Sequence, residues 1–600
     1  MSSTLVPLVV VIPLLVAAAL AAFGRFVSSR VDNIVAAVTG LAVTVMCVVL
    51  IFESAHETIH YWFGNWKPRD GIAIGISFSV DPLDAAIAAL VGALAVAASI
   101  VCWDYFEEEV PPYFHVLMLV FLGGMVGFAL SSDLFDMFVF FELMSVAAFA
   151  LTGYRVEHRS VLQGAFSFVV VNSVGAFMLL TGIALLYGRT GALNLAQIGQ
   201  ALARDRPDGL VVVAFTFIVV GFLTKAGTVP FHFWLSDAYA VAPAPVCILL
   251  AGVMSDLGLH AVARTYWEGF SGAFGGHADA VRAVLVGVGL VTALLGGVMA
   301  FLQSGLKRML AFVVISHVGV FLSAIGLLTA RGLAAATVFI VADGLVKGAL
   351  FCAVAHIGVR LGTTDELEAH GRGRGLPLTG LIVAMGALGL AVLPPLGTFV
   401  GASVLFQSAG GIAYGWLPVP IVAATALTGA AVLRAAGRIF LGLGPRSEEL
   451  LDELADDEGE EGGRAAAHAG ALFWIPALAL LVAGLGLAFV PGLPGQAIAH
   501  AAHLVDRPAV AAETLHGATA PPLSVPSFSP SVESYLYGAL SVLGALALAW
   551  VGLQRLRLGR AAAWVVERLE LVHDGLVTDY VTWLMLGTAV LGALFALSVR

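Results

Sequence analysis

Read for hydrophobic and polar positions, the chain is a succession of apolar runs separated by short polar or basic connectors. A helix needs roughly 20 predominantly apolar residues to cross the hydrocarbon core. The runs place spans near 4–23, 33–53, 80–103, 113–131, 134–153, 162–187, 209–240, 243–266, 280–302, 306–329, 332–360, 376–408, 415–441, 469–491, 533–553 and 577–599. The pattern predicts an all-α polytopic membrane protein of about sixteen transmembrane helices. Two spans should be interrupted, the seventh at Pro230 and the twelfth at Pro394-Pro395, because proline removes an amide donor and clashes with the preceding turn. Interrupted helices in corresponding positions point to inverted repeats with a pathway near the midplane. The first run, Leu5 to Phe23, lacks preceding basic residues and is followed by Arg25 and Arg30, so it reads as a retained helix and not a signal peptide.

Composition agrees with the pattern. Of 600 residues, 60% are hydrophobic and 12% charged, with mean hydropathy +0.97, whereas soluble domains carry about 25% charged residues. The net charge of −11 comes partly from one acidic run, Glu448 to Glu461, which reports a solvated loop and not an acidic partner. Connectors after odd-numbered spans are richer in Lys and Arg, which places them in the cytoplasm and both termini outside. The four cysteines, Cys47, Cys102, Cys247 and Cys352, sit in apolar segments without CxxC spacing and read as small buried hydrophobes. Iron–sulfur, haem c and zinc-ribbon patterns are absent, so no cofactor is expected here and any electron transfer belongs to another subunit. A nucleic-acid partner is not expected.

The organisation that follows is 1–112, the first three helices; 113–266, a first five-helix repeat; 280–441, a second; 442–468, an acidic cytoplasmic loop; and 469–600, the last three helices. Within the last segment, Pro491 to Ser531 reads as an external linker. Arg555 to Asp574 reads as an interfacial amphipathic segment reaching roughly 35 Å.

Ionisable residues at bilayer depth are functional candidates by default. Lys225 precedes the break in the seventh span, and Glu142 lies in an aromatic-rich fifth span; they read as a natural pair, either functional or a structural ion pair. Asp256 and His260 share one face of the eighth span, where both could relay protons, or Asp256 could hold Lys225 or an interhelical hydrogen bond. His317 lies mid-span, and a neutral imidazole can both donate and accept. Asp343 and Lys347 are spaced for an intrahelical salt bridge. Together these form a row suited to a proton path. His232, just past Pro230, is placed to bond freed carbonyls or to stand at a path entrance; Lys307 is either an entrance or a topology anchor at the cytoplasmic border. His56/His60 and His500/His503 have helical spacing without a supporting carboxylate cluster, so metal binding is not expected there.

Several stretches resemble the antiporter-like membrane subunits of respiratory complex I, Mrp antiporters and energy-converting hydrogenases. They are Val80-Asp81-Pro82-Leu83, the segment 135–144, Thr224-Lys225-Ala226-Gly227-Thr228-Val229-Pro230-Phe231-His232-Phe233-Trp234, Leu306-Lys307-Arg308-Met309-Leu310, Lys347-Gly348-Ala349-Leu350-Phe351 and Leu393-Pro394-Pro395-Leu396-Gly397-Thr398-Phe399-Val400-Gly401, in the family's order. The C-terminal stretch 571–580 resembles the segment entering the last helix of the largest such subunits. The resemblance implies a core of about fourteen helices with two inverted repeats of about five, and a central axis of protonatable residues. It matches Glu142 to the fifth-helix glutamate, Lys225 to the lysine that glutamate tunes, His317 to a tenth-helix histidine and Lys347 to the eleventh-helix lysine. Four positions depart from it: Asp256 and His260 stand where many members have a lysine pattern, Asp343 replaces a histidine, and Ala402 replaces the twelfth helix's lysine or glutamate.

The expected function is therefore a proton-translocating subunit of a redox-driven, multisubunit complex in the plasma membrane, partnered by other membrane subunits and a peripheral redox or catalytic arm. The rivals are an Mrp-type cation/proton antiporter or inorganic-carbon uptake subunit, with sodium as the ion, and a non-conducting membrane scaffold.

Overall fold

The computed structural model describes residues 2–26, 28–106, 112–203, 208–445, 470–520, 522–554 and 576–598. The acidic run 448–461, the amphipathic segment 555–574 and the first half, 571–575, of the 571–580 stretch lie outside the described residues.

The first half comprises α1 (Ser2–Phe23), α2 (Ser29–Glu53), α3 (Pro82–Tyr105), α4 (Pro112–Leu130), α5 (Leu134–Thr152), α6 (Arg159–Thr190), the short α7 (Leu195–Leu202), α8 (Gly209–Ala226) and α9 (Phe233–Val241). A helix over 244–274, α10, contains two π turns, Leu250–Met254 and Thr265–Phe270. Then come α11 (Ala278–Leu302), α12 (Leu306–Gly326), α13 (Ala330–Leu361), α14 (Pro377–Leu390), α15 (Gly397–Gly410) and α16 (Pro418–Leu441). The chain finishes with α17 (Ala471–Gly486), α18 (Leu493–Val505), α19 (Arg507–His516), α20 (Val532–Leu553) and α21 (Val577–Ser598).

Fourteen helices among the described residues are long and apolar enough to cross a membrane, with 244–302 counted as one. That run divides at Gly275–His277, and α14 with α15 forms a broken span. Each apolar run of the sequence thus contains helix. The chain is a multi-pass membrane protein.

Local signals fix several ends. Asp81 caps α3 in a reciprocal box with Asp84, and Pro82 occupies the first turn. Asp133 caps α5 through the amides of Phe135 and Asp136. In the most apolar window of each helix, α12 is 100% and α13 94% buried, against 33% for α1, α2, α20 and α21. The first two are thus the centre and the last four the periphery. Close approach at the centre depends on small residues: a Cβ on Gly296 or Gly319 would run into the facing backbone of α12 or α11.

Three features differ from the hydropathy reading. A two-stranded antiparallel hairpin, β1 (Ile59–Trp62) and β2 (Ser77–Val80), precedes α3 with Ile59 opposite Val80, so the third helix begins at Pro82 and not at 80. α7 occupies a connector. The stretch read as an external linker, 491–531, contains α18 and α19. These elements are too short to span, so an apolar-run criterion passes over them.

Candidate functional site

The break beside Lys225 begins earlier than proline alone predicts. Gly227, at φ 74°, ends α8 in the left-handed conformation, which favours glycine, and its N–H bonds back to Leu223 and Thr224. Pro230 lies in the connector, and α9 starts at Phe233. The Thr224 carbonyl accepts from Trp234 Nε1 at 3.0 Å as well as from the Gly227 N–H, and the Val229 N–H donates to Thr292 Oγ1 at 3.1 Å. His232 is buried beside the break, its ring 4.3 Å from that of Phe233.

Lys225 is fully buried. Its Nζ meets Ser145 Oγ at 2.5 Å and lies over the ring of Phe141 at 4.7 Å, with Phe149 and Phe168 at 6.0 and 5.8 Å. Aromatic faces attract a desolvated ammonium. The expected contact with Glu142 is not made; the two charges act on each other through space. The reason is their placement on α5. Glu142 is half-buried, on the side where Phe135, Val139 and Val146 are 44%, 45% and 60% exposed, whereas Ser145 is turned inward. The signal for Ser145 was its position one turn beyond Glu142 in an otherwise apolar run.

A second group lies at the centre. Lys347 Nζ on α13 stands 3.0 Å from Asp343 Oδ2 on the same helix and 3.3 Å from Asp256 Oδ2 on α10. Asp343 Oδ1 is 2.7 Å from His317 Nδ1 on α12, and His317 Nε2 is 3.1 Å from Thr428 Oγ1 on α16. All four ionisable groups are at most 1% exposed. Asp256 thus holds Lys347 and not Lys225. The Asp343–Lys347 pair is the one expected from spacing, and Thr428 had no signal in the sequence.

His260 joins a different cluster. Its Nε2 is 3.3 Å from Asp84 Oδ1 and 3.2 Å from the Ala129 carbonyl oxygen. Arg264 Nη1 donates to Asp84 Oδ2 at 2.9 Å, and Arg264 Nε to Glu268 Oε1 at 2.6 Å. His503, on α18, meets Glu513 of α19 at 2.7 Å, so one of these histidines has the carboxylate the sequence reading lacked. That bond raises the His503 pKa, while burial pushes His60 and His500 down to about 4. Lys307 is fully buried and donates to the Ala242 carbonyl at 3.3 Å, at the end of α9; it bridges two helices inside the protein and is no surface anchor. Ala402 is buried in α15, and neither α14 nor α15 carries an ionisable side chain. The Gly389 carbonyl at this second break accepts from Thr398 Oγ1 at 2.7 Å.

A family model described as NADH:quinone oxidoreductase/Mrp antiporter, TM, matches residues 131–428. NADH-quinone oxidoreductase subunit N of Desulforudis audaxviator is 30% identical over 405 residues, covering 66% of this chain and 79% of that protein. The chain belongs to this antiporter-like family. A Na(+)/H(+) antiporter subunit of Alkalihalophilus pseudofirmus is 29% identical over 417 residues, covering 68% of the chain and 81% of that protein. F(420)H(2) dehydrogenase subunit N of Methanosarcina mazei is 30% identical over 364 residues, 59% and 73%. Among solved structures, an Mrp complex from Dietzia aligns with TM-score 0.72 at 26% identity, covering 86% of this chain and 99% of that one. The archaeal membrane-bound sulfane sulfur reductase aligns with TM-score 0.73 at 22% identity, covering 85% and 99%.

This antiporter-like subunit is therefore related to components of multisubunit membrane complexes. The matched region runs from just before α5 into α16 and contains Glu142, Ser145, Lys225, Asp256, His260, His317, Asp343, Lys347 and Thr428. Asp84, His503 and Glu513 lie outside it.

Proposed function

We propose that the chain translocates protons within a larger complex of the plasma membrane, using Lys225 and the Asp256–Lys347–Asp343–His317 group. The carrying observation is that group's continuity, with contacts of 3.3, 3.0 and 2.7 Å linking three helices in a fully buried setting. Buried ion pairs are poor stabilisers against apolar residues of similar volume, so packing alone gives a weak reason for four. With His317 neutral, two carboxylates face one ammonium and the group carries one net negative charge; one added proton neutralises it. It is a one-proton store.

Glu142 stands between the apolar outer face of α5 and Lys225. A charge arriving there from a neighbouring membrane subunit changes the field at Lys225, and the ammonium gives up or takes a proton. α8 and α10 cross at this level, with Gly258 against the backbone of Phe222 and Ala226, which brings the Lys225 turn beside the helix carrying Asp256. His317 and Thr428 extend the store toward α16. His232 and Lys307, buried at the two ends of α9, are positioned between the break and the cytoplasmic connector. The two breaks support a repeat of 113–266 in 280–441, since in each a side chain from the following half-helix bonds a carbonyl at the end of the preceding one. Both termini are placed outside, with a peripheral redox or catalytic arm on the cytoplasmic face.

The test is Lys225→Ala in vesicles holding the full complex, energised by its own driving reaction and read with a pH-sensitive dye. The expected result is normal assembly with proton movement lost. A variant that assembles and moves protons as the parent does refutes the reading and favours a scaffold, the alternative for which α14 and α15, without ionisable groups, speak.

A further inference from the structure

Neither α14 nor α15 carries an ionisable side chain, yet a line of ionisable groups leaves the centre by another helix. Asp256, His260, Arg264 and Glu268 recur every four residues along α10, and all are buried. At 1.5 Å per residue they extend about 18 Å along the axis. The π turn at Thr265–Phe270 lies at the far end of this line, and such turns are frequent at functional sites. Asp84 of α3 sits beside it, 3.3 Å from His260 and 2.9 Å from Arg264.

The far end lies beneath a cover built from the elements that hydropathy did not predict. The backbone of Gly199 in α7 packs on the Glu268 carbonyl, and Arg507, opening α19, donates to the Gly199 carbonyl at 2.9 Å. α18 packs on α3, and both α18 and α19 touch the π turn. Under this cover the charges of Glu513, Arg264 and His503 act on His60 through space, and that of Asp81 on His503. Asp256 Oδ1, Asp84 Oδ1 and His60 Nε2 are buried atoms without a hydrogen-bond partner. Such groups are the ones ordered water bridges.

We infer that this line is a proton route between the central store and the surface carrying α18 and α19, by way of His260, Asp84 and the His503–Glu513 pair. The inference rests on the reading of the centre as a proton store. A proton held at Asp256 passes by water to His260, whose Nε2 faces Asp84 Oδ1; the carboxylate takes it, the ring returns to neutral, and the proton moves on beneath the cover to His503 and Glu513. Arg264 stays charged throughout and is a positioning residue, holding Asp84 and Glu268 in place. The route leaves along α10, which makes an ionisable group at 402 unnecessary.

The experiment uses the same energised vesicles of the full complex. Asp84→Asn and His260→Gln should each lower proton movement by about tenfold or more, the scale of a lost proton-transfer group, with assembly intact and with Asp84→Glu restoring part of it. Native rates in Asp84→Asn and His260→Gln overturn the inference whatever Lys225→Ala does. A native rate in Lys225→Ala refutes the translocation reading on which the store rests, whereas lost movement in Lys225→Ala with native rates in Asp84→Asn and His260→Gln overturns the route alone. Where Asp84→Asn does not assemble, His503→Cys decides. The four native cysteines are buried, so a charged, membrane-impermeant thiol reagent should slow proton movement at this position, and a modified variant with a native rate overturns the route.

Discussion

Replacing Lys347 by methionine tests whether the central group is a single electrostatic unit. The side chain keeps a similar length and loses its charge, so Asp256 and Asp343, which stood 3.3 and 3.0 Å from the ammonium, are left in a dry interior without it. Removing one partner of a buried pair destabilises by about 3–5 kcal/mol, because the remaining charge is uncompensated. The two carboxylates share one cation, so the loss should stay in that range and not double. Adding Asp256→Asn should return part of it, with a coupling energy of about 0.5–3 kcal/mol typical of contacting residues. Detergent-driven unfolding of the purified complex, followed for this subunit, measures both. A loss below about 1 kcal/mol for the single variant, or a double variant that is strictly additive, would refute the reasoning.

Three further outcomes follow from particular contacts. Trp234→Phe keeps a ring to stack on Phe168, whose centroid is 4.3 Å away, but removes one of the two donors to the Thr224 carbonyl, the Gly227 N–H remaining; the penalty should be about 0.5–1.5 kcal/mol, with faster hydrogen exchange at 223–228. Gly587→Leu puts a side chain into the ring of Pro230 and should loosen α21 by about 1–3 kcal/mol, read as faster exchange over 577–598 and weakening of the Tyr580–Asp237 bond of 2.8 Å. The His503–Glu513 bond raises the His503 pKa, so its contribution to docking α18 and α19 is complete below about pH 6.5, the free value, and fades as pH rises through the raised one. Exchange at 493–516 should therefore increase with pH beyond its intrinsic trend, and His503→Gln should remove the extra dependence.

The spans were legible because hydrophobic length is a direct consequence of bilayer thickness, and Gly227, Pro230 and Pro394 mark breaks through their own backbone chemistry. The ionisable side chains were legible because their presence in apolar runs has few innocent explanations. Their pairing was not. Asp256 could point to Lys225 or to Lys347, and only the crossing of α10 with α13 chooses the second. Ser145 replaced Glu142 as the contact of Lys225 because Ser145 lies on the buried edge of their shared face of α5 and Glu142 on its half-buried edge, and an all-apolar helix surface does not reveal which edge is inward. α7, α18 and α19 escaped because their short, mixed sequences satisfy neither a span nor a turn pattern.

The departures from the family pattern make sense together. A lysine on the eighth span and a histidine on the eleventh would place a basic group at each station, kept apart by repulsion. Here Asp256 and Asp343 occupy those two positions, and Lys347 lies between them. Opposite charges draw α10 and α13 into one cluster where like charges would separate, and His317 is held in it by Asp343 at 2.7 Å. A compact store of net charge −1 then has two neighbours: Lys225 on the side of the seventh span, and His260, one turn farther along α10. His260 thus stands one turn from an acid and not from a lysine, at the start of the inferred line. If that line carries protons, restoring a lysine at 256 should break the Lys347 contact by repulsion and isolate His260 from the centre. Asp256→Lys would then assemble poorly or move protons more slowly than Asp256→Asn, measured in the same vesicles. An Asp256→Lys variant that matches the parent in both would show that the acid at 256 is incidental.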